Sequence, residues 1–269
     1  MTALTQLFAR TRDEGRAALI GYLPAGFPTV PGAIDAMHAM VEGGVDAIEV
    51  GLPYSDPLLD GPTIQEAVDR ALRSGATTPD VLETVRAVAA TGVPTMVMSY
   101  WNPIEKFGVA SFARQLSDAG GSGVITADIT PEEAGEWLEA SRTEQLDRIF
   151  LVAPSSTDER IALTTSAGSG FVYAAAVMGV TGARTQVAPA ARELVDRTRA
   201  ATSLPICVGL GVSTGRQAAE IAAFADGVIV GSAFVRALLD ASSASEGLEQ
   251  VRVLARELRD GVAEGSSHR

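Results

Sequence analysis

Eight short runs of the chain are apolar and mostly β-branched on both alternating faces. They are AALIGYL (17–23), DAIEVGL (46–52), PTMVMSY (94–100), SGVITAD (122–128), RIFLVAP (148–154), GFVYAAA (170–176), PICVGLG (205–211) and DGVIVGS (226–232). A strand that is apolar on both faces has to be covered on both, as in a parallel sheet flanked by helices. The segments between the runs change period. Val81, Leu82, Val85, Val88 and Ala89 form one helical stripe, Val109, Phe112, Ala113 and Leu116 a second, and Leu248, Val251, Ala255 and Leu258 a third near the end. Thr63 to Glu66, Thr130 to Glu133 and Thr214 to Gln217 match the Ser/Thr-x-x-Glu/Gln capping box, and Pro79 and Pro131 each follow a threonine at the first helical position.

Strand and helix therefore alternate, at spacings mostly of about 20 to 35 residues, which reads as repeated βα units. Eight units in 269 residues predict one (β/α)₈ barrel over residues 1–269, with an extra helix at the N-terminus and a polar, disordered tail from about 262. A doubly wound open sheet is the competing architecture, but no G-x-G-x-x-G follows the first run. Two places break the rhythm. Residues 53–62 with an extra helix at 63–73 form an insertion after strand two, and 178–189 is a long, polar, Gly-containing connection after strand six. Both fall on the C-terminal face of a barrel, where active sites are built, and are candidate lids.

Composition narrows the chemistry. A formal charge of −12 argues against nucleic acid and anionic membranes as partners. There is no basic stretch leading into an apolar signal region, and no segment nears the roughly 20 apolar residues that cross a bilayer, so a cytoplasmic location is expected. The single cysteine, Cys207, lies in the apolar run 204–208 and reads as a small buried hydrophobe in a reducing setting. Histidine occurs only at 38 and 268, and lysine only at 106. His38 falls on the apolar stripe of Ile34, Met37 and Val41, and Lys106 in the polar stretch NPIEKFG. This scarcity speaks against a histidine metal site, a Ser-His-Asp triad and a strand-borne Schiff-base lysine.

Glycine-containing turns follow strands six, seven and eight, in GVTG (179–182), GLGV (209–212) and GSAF (231–234). In barrels such loops hold phosphate through backbone N–H groups and a helix N-terminus, which lets an acidic protein bind an anion. Gly211, Gly231 and Ser232 are the candidate donors, with Gly182 closing from the long loop. Glu49 is the one carboxylate inside a strand core, near the C-terminal end of run two. Pointing into the barrel mouth it would be a general acid/base with disfavoured ionisation; facing the helix layer it would pair with an arginine. Asp60 ends the inserted loop, where a second carboxylate could bind a substrate N–H, and Asp56 in YSDP suits an Asx-turn.

The stretch EVGLPYSDPLLDGPTIQ, with YLPAGFP (22–28), MGVTGAR (178–184), VGLGVS (208–213) and DGVIVGSAFV (226–235), resembles the tryptophan synthase α subunit family, in unbroken order from about residue 5 to 260. The resemblance implies retro-aldol cleavage of indole-3-glycerol phosphate to indole and glyceraldehyde 3-phosphate, without metal or organic cofactor. The family's catalytic carboxylates map onto Glu49, the proton shuttle, and Asp60, the acceptor of the indole N–H; Tyr173 matches its strand-six tyrosine. Tyr22, Ile64, Met98 and Leu210 would line the indole slot. The resemblance also implies a pyridoxal-phosphate-dependent β subunit in an α2β2 heterotetramer. Pro53, Asp56 and Asp128 would face it, and closure of loops 53–60 and 178–189, Thr181 included, would carry an allosteric signal. Four positions depart from the usual pattern. Val177 stands for an arginine, Leu210 and Tyr22 for phenylalanines, and Thr130 for a proline.

Three other readings remain at this point. A phosphosugar isomerase on the same barrel wants an acid/base pair at strands one and five, where this chain has GYLPAG and LVAPSS. A regulatory barrel of reduced activity is at odds with the intact Glu49 and Asp60. A stand-alone lyase that releases free indole shares every catalytic group.

Overall fold

The alternation within each apolar run sorts its side chains into two layers. In the computed structural model, which describes residues 1–176, 187–209 and 211–267, eight parallel strands close into a barrel in the order of the sequence. They are β1 (Ala18–Pro24), β2 (Ala47–Gly51), β3 (Thr95–Ser99), β4 (Gly123–Thr126), β5 (Asp147–Val152), β6 (Val172–Ala175), β7 (Ile206–Gly209) and β8 (Gly227–Val230). Each coincides with a predicted run.

Ala18, Ile20, Ala47, Met96, Ile125, Ile149, Cys207 and Ile229 point inward and form one buried cluster. Their neighbours Leu19, Ile48, Val50, Val97, Val124, Val208 and Val228 point outward into a larger cluster beneath the helices. Both faces are dry, which is why the runs carry no polar alternation.

The helices are α1 (Ala3–Asp13), α2 (Val30–Gly43), α3 (Pro62–Arg73), α4 (Thr78–Ala89), α5 (Trp101–Phe107), α6 (Val109–Asp118), α7 (Gly135–Thr143), α8 (Asp158–Ala167), α9 (Val187–Ala201), α10 (Gly215–Ala222), α11 (Ser232–Asp240) and α12 (Ala244–Ser266). The predicted N-terminal helix is α1, and it plugs the N-terminal end of the barrel. Its Leu4, Leu7 and Phe8 join the interior cluster, and Phe8 meets Phe171 edge-on with ring centroids 5.8 Å apart. On the same side Arg16 grips Asp46 through two hydrogen bonds of 2.7 and 2.8 Å, and Asp46 Oδ2 accepts the Leu19 N–H at 2.9 Å. This pair, with Asp46 nearly buried, fixes the β1–β2 register that sets Tyr22 beside Glu49.

Three expectations need correction. Thr63 does not cap a helix: α3 begins one residue earlier, with Gly61 as N-cap and Pro62 in the first turn. The Thr130–Glu133 pair forms, Oγ1 to Oε2 at 3.3 Å, but closes only a turn, and α7 starts at Gly135. The polar tail is helix as far as Ser266, because Gly261 and Gly265 lie against the backbone of Gly215 and Ala219, where a Cβ would overlap it. Ser266 then accepts the Ala17 N–H at 2.9 Å, tying the end of the chain to the start of β1. Thr214 does cap α10, accepting from the Gln217 N–H. Val177, Thr181, Gly182, Leu210 and His268, with most of 178–189, lie outside the described residues. No helix among the described residues is long and apolar enough to cross a membrane.

Candidate active site

Glu49 shares its strand face with Ala47, an interior residue, while Ile48 and Val50 belong to the helix layer. Of the two orientations open in the sequence, the carboxylate therefore takes the inward one. It is wholly buried, between Tyr22 on β1 and Met96 on β3 in the strand register. Neither carboxylate oxygen has a hydrogen-bond partner among the described residues. Loss of water disfavours the charged form, and the pKa of Glu49 is pushed up to about 8. Such a carboxyl carries a proton at neutral pH yet gives it up readily, as a group that both donates and accepts must.

Asp60 stands over this interior on the segment between β2 and α3. It is half-buried, burial raises its pKa, and a hydrogen bond from Tyr100 opposes that rise. Tyr100, directly after β3, reads in the sequence only as the last apolar residue of its run. Its hydroxyl donates to Asp60 Oδ1 at 3.3 Å and accepts the N–H groups of Leu58 at 3.1 Å and Leu59 at 2.9 Å. A phenol has one proton and two lone pairs, so this node uses all of its capacity. The Tyr100 ring also packs on Tyr54 at 5.4 Å between centroids, and Asn102 Nδ2 donates to the Tyr54 hydroxyl at 3.3 Å. The inserted segment is thus fastened to the β3 end by its backbone and one ring pair.

Tyr173 points inward from β6, and its hydroxyl lies over Gly209, where a Cβ would overlap it. Burial first, and then the charge of Glu49, raise its pKa well above the ordinary 10, so it stays a neutral donor. Met98 is half-buried against the interior cluster, and Tyr22, half-buried too, follows the inward-facing Ala18 and Ile20 in the alternation of β1. Ile64, in the first turn of α3, is half-buried: one side packs against the helix-layer cluster and the other is left open beside the Asp60 segment.

At the β7 and β8 ends, Gly211 adopts φ +66°, a left-handed conformation with open space where a Cβ would stand among the described residues, and Gly231 is the N-cap of α11 with Ser232 as its first residue. The first N–H groups of α11 lack helical acceptors and point out of the helix start, as an anion site requires.

The partner-facing candidates have internal roles. Asp56 accepts from Ser55 Oγ at 2.6 Å within its turn. Asp128 Oδ1 accepts the Trp101 N–H at 2.7 Å and so caps α5 from the neighbouring loop. Pro53 lines a groove of about 400 Å³ with Tyr54, Asn102, Lys106 and Phe107. Beside it Leu58 is 75 % exposed and Leu59 41 %, a large apolar surface for one loop.

Known proteins share this sequence and this barrel. The family model described as tryptophan synthase alpha chain matches residues 8–263. The tryptophan synthase alpha chain of Thermobifida fusca is 60% identical over 265 residues, 97% of this chain and 98% of the relative, and that of Streptomyces coelicolor is 56% identical, with 96% of each covered. A solved structure of Mycobacterium tuberculosis tryptophan synthase superposes with a TM-score of 0.90 at 55% identity, covering 96% of this chain and 97% of that one. At 32% identity the tryptophan synthase subunit alpha of Legionella pneumophila still gives 0.89, over 97% of this chain and 98% of that one. With interior carboxylate, loop carboxylate and glycine-lined helix start carried on a barrel that matches along nearly its whole length, the chain belongs to the tryptophan synthase alpha chain family.

Proposed function

We propose that this chain cleaves indole-3-glycerol phosphate to indole and glyceraldehyde 3-phosphate, a carbon–carbon lyase step of tryptophan biosynthesis, with Glu49 and Asp60 as the working pair. The observation that carries the assignment of roles is Glu49 itself, buried on the barrel's inner face, its oxygens without a hydrogen-bond partner among the described residues and its pKa pushed up to about 8.

The chemistry follows from the bond that must break. Indole C3 holds its electrons in the aromatic ring until it is protonated; the ring nitrogen then carries positive charge and becomes an electron sink. Protonated Glu49 delivers that proton to C3. Asp60, ionised, accepts the N1–H hydrogen bond and stabilises the charge as it develops. The Glu49 carboxylate next removes the proton from the hydroxyl beside the breaking bond. The electron pair of that O–H bond becomes the second bond of the aldehyde C=O, and the electrons of the carbon–carbon bond return to the ring. One proton enters and one leaves, so Glu49 ends as it began.

Tyr173, close enough for the Glu49 charge to act on it, orients that carboxyl. Gly211, Gly231 and Ser232, with Gly182, hold the phosphate through backbone N–H groups. Tyr22, Met98, Ile64 and Leu210 line the indole slot. Because Tyr100 holds both Asp60 and the loop that carries it, Tyr100→Phe is expected to lower kcat/KM by about tenfold, the scale of one hydrogen bond to a charged group. Steady-state rates on the purified variant check this.

Indole passes to a β subunit, which takes the exposed Leu58 and Leu59, together with Pro53, Asp56, Thr181 and Asp128, as its docking face in an α2β2 assembly in the cytoplasm. Titrating the chain with a tryptophan synthase β subunit tests this. Turnover is expected to rise several-fold and saturate at one β per α; turnover that ignores the partner would instead make the chain a stand-alone lyase.

A further inference from the structure

Tyr22 places a phenol hydroxyl at the mouth of the barrel, beside the carboxylates of the site. Its neighbours on the same inward face of β1 are Ala18 and Ile20, and in the register its partner on β2 is Glu49. The ring is wedged between two glycines. On one edge, Cδ1 and Cβ lie 2.9 and 3.3 Å from where a Cβ of Gly231 would stand, at the start of α11. At the other end the phenol oxygen occupies the space that a Cβ of Gly51 would need. Gly51 is the last residue of β2 and the point from which the chain leaves toward Asp60. The ring therefore spans the mouth from the phosphate end to the carboxylate end, and its hydroxyl is delivered to the carboxylate end.

Burial above all keeps this phenol protonated well above its ordinary range, and the titratable groups that act on it in the same direction are Asp60, then Glu49, Tyr100 and Tyr173. Arg236, the cation that α11 sends toward this side, is engaged with Thr63 Oγ1 at 2.6 Å. The Tyr22 hydroxyl has no hydrogen-bond partner among the described residues, and Tyr100 engages Asp60 through Oδ1, which leaves Oδ2 for a second donor. A carboxylate has about four lone-pair positions, enough for two phenols and an indole N–H together.

We infer that Tyr22 is a positioning residue for the reaction: its hydroxyl donates to Asp60 Oδ2 when substrate fills the slot, so that two tyrosines, Tyr22 and Tyr100, hold the carboxylate ionised and aimed at the indole nitrogen. The inference rests on the role given to Asp60 above. It explains the two glycines as well, since a side chain at either position would displace the ring.

The test compares the parent, Tyr22→Phe, Asp60→Asn and the double variant, each in complex with the β subunit, by the pH dependence of kcat/KM for indole-3-glycerol phosphate. Phenylalanine keeps the ring between the glycines and removes only the donor. Tyr22→Phe is expected to lower kcat/KM about tenfold. Because a donor to the ionised form is lost, the acidic limb, set by Asp60, moves to higher pH by about half a unit or more, while the basic limb stays in place. On the Asp60→Asn background the same change should cost less than about twofold, because the two residues act through one group. An unchanged rate and profile for Tyr22→Phe would leave the hydroxyl a packing group, and an equal loss on both backgrounds would place its action elsewhere; either overturns the inference while the role of Asp60 stands. Full activity in Asp60→Asn would overturn that role and the inference with it.

Discussion

Replacing Glu49 by glutamine is expected to lower kcat by at least about three orders of magnitude, while binding of glyceraldehyde 3-phosphate changes by less than about twofold. Glutamine is nearly isosteric and fits the same buried space, but it neither delivers a proton to C3 nor removes one from the neighbouring hydroxyl. The proposed phosphate contacts are backbone N–H groups at Gly211, Gly231 and Ser232, after β7 and at the start of α11, and would not depend on the carboxyl. Single-turnover rates with product-binding titrations check both halves. Residual activity within about tenfold of the parent would assign the proton shuttle to another group.

The same substitution is expected to stabilise the fold at alkaline pH. Glu49 has a folded-state pKa raised to about 8 against 4.5 for an ordinary glutamate, with burial as the cause. In the native state it keeps its proton between these values while the unfolded chain releases it. The group's contribution is therefore fully present below about pH 4.5 and is lost progressively as pH rises toward 8, where ionisation inside the barrel has become the cost of staying folded. A shift of this size corresponds to an upper bound of roughly 5 kcal/mol, and half of it would be a large share of a domain's stability. Glu49→Gln has no such ionisation, so its advantage over the parent is expected to grow from near zero at about pH 4.5 to about 2–5 kcal/mol at pH 8. Denaturant unfolding at several pH values measures it; parallel curves for parent and variant would mean that the carboxylate is solvated or paired in the folded protein.

The barrel was legible because a parallel strand buried on both faces leaves an unmistakable apolar run, and all eight runs appear as strands. Legibility fell wherever two local signals competed. At the start of α3, Pro62 favours the first helical turn and Thr63 with Glu66 favours a capping box; proline prevailed, and Gln65 Nε2 instead reaches back to the Asp60 carbonyl at 2.7 Å. At the end of the chain Gly261 and Gly265 look like helix breakers, yet their missing side chains are what lets α12 lie against α10. The orientation of Glu49 could not be read from β2, because a run apolar on both faces hides which face is which. It needed the register, fixed by Arg16 and Asp46 at the far end of the strand pair. Tyr100 escaped for another reason: its partners are two backbone N–H groups and a carboxylate about 40 positions earlier, and backbone donors carry no sequence signal.

The account stands most directly on the pH profile of product release. Indole and glyceraldehyde 3-phosphate formed from indole-3-glycerol phosphate by the parent chain with its β subunit would be measured from about pH 5 to about pH 10. Equal amounts of the two products, with kcat/KM falling on the alkaline side around an apparent pKa near 8, are the predicted result, since deprotonated Glu49 has no proton for C3. Absence of indole, or a rate that stays level through pH 10, would contradict it.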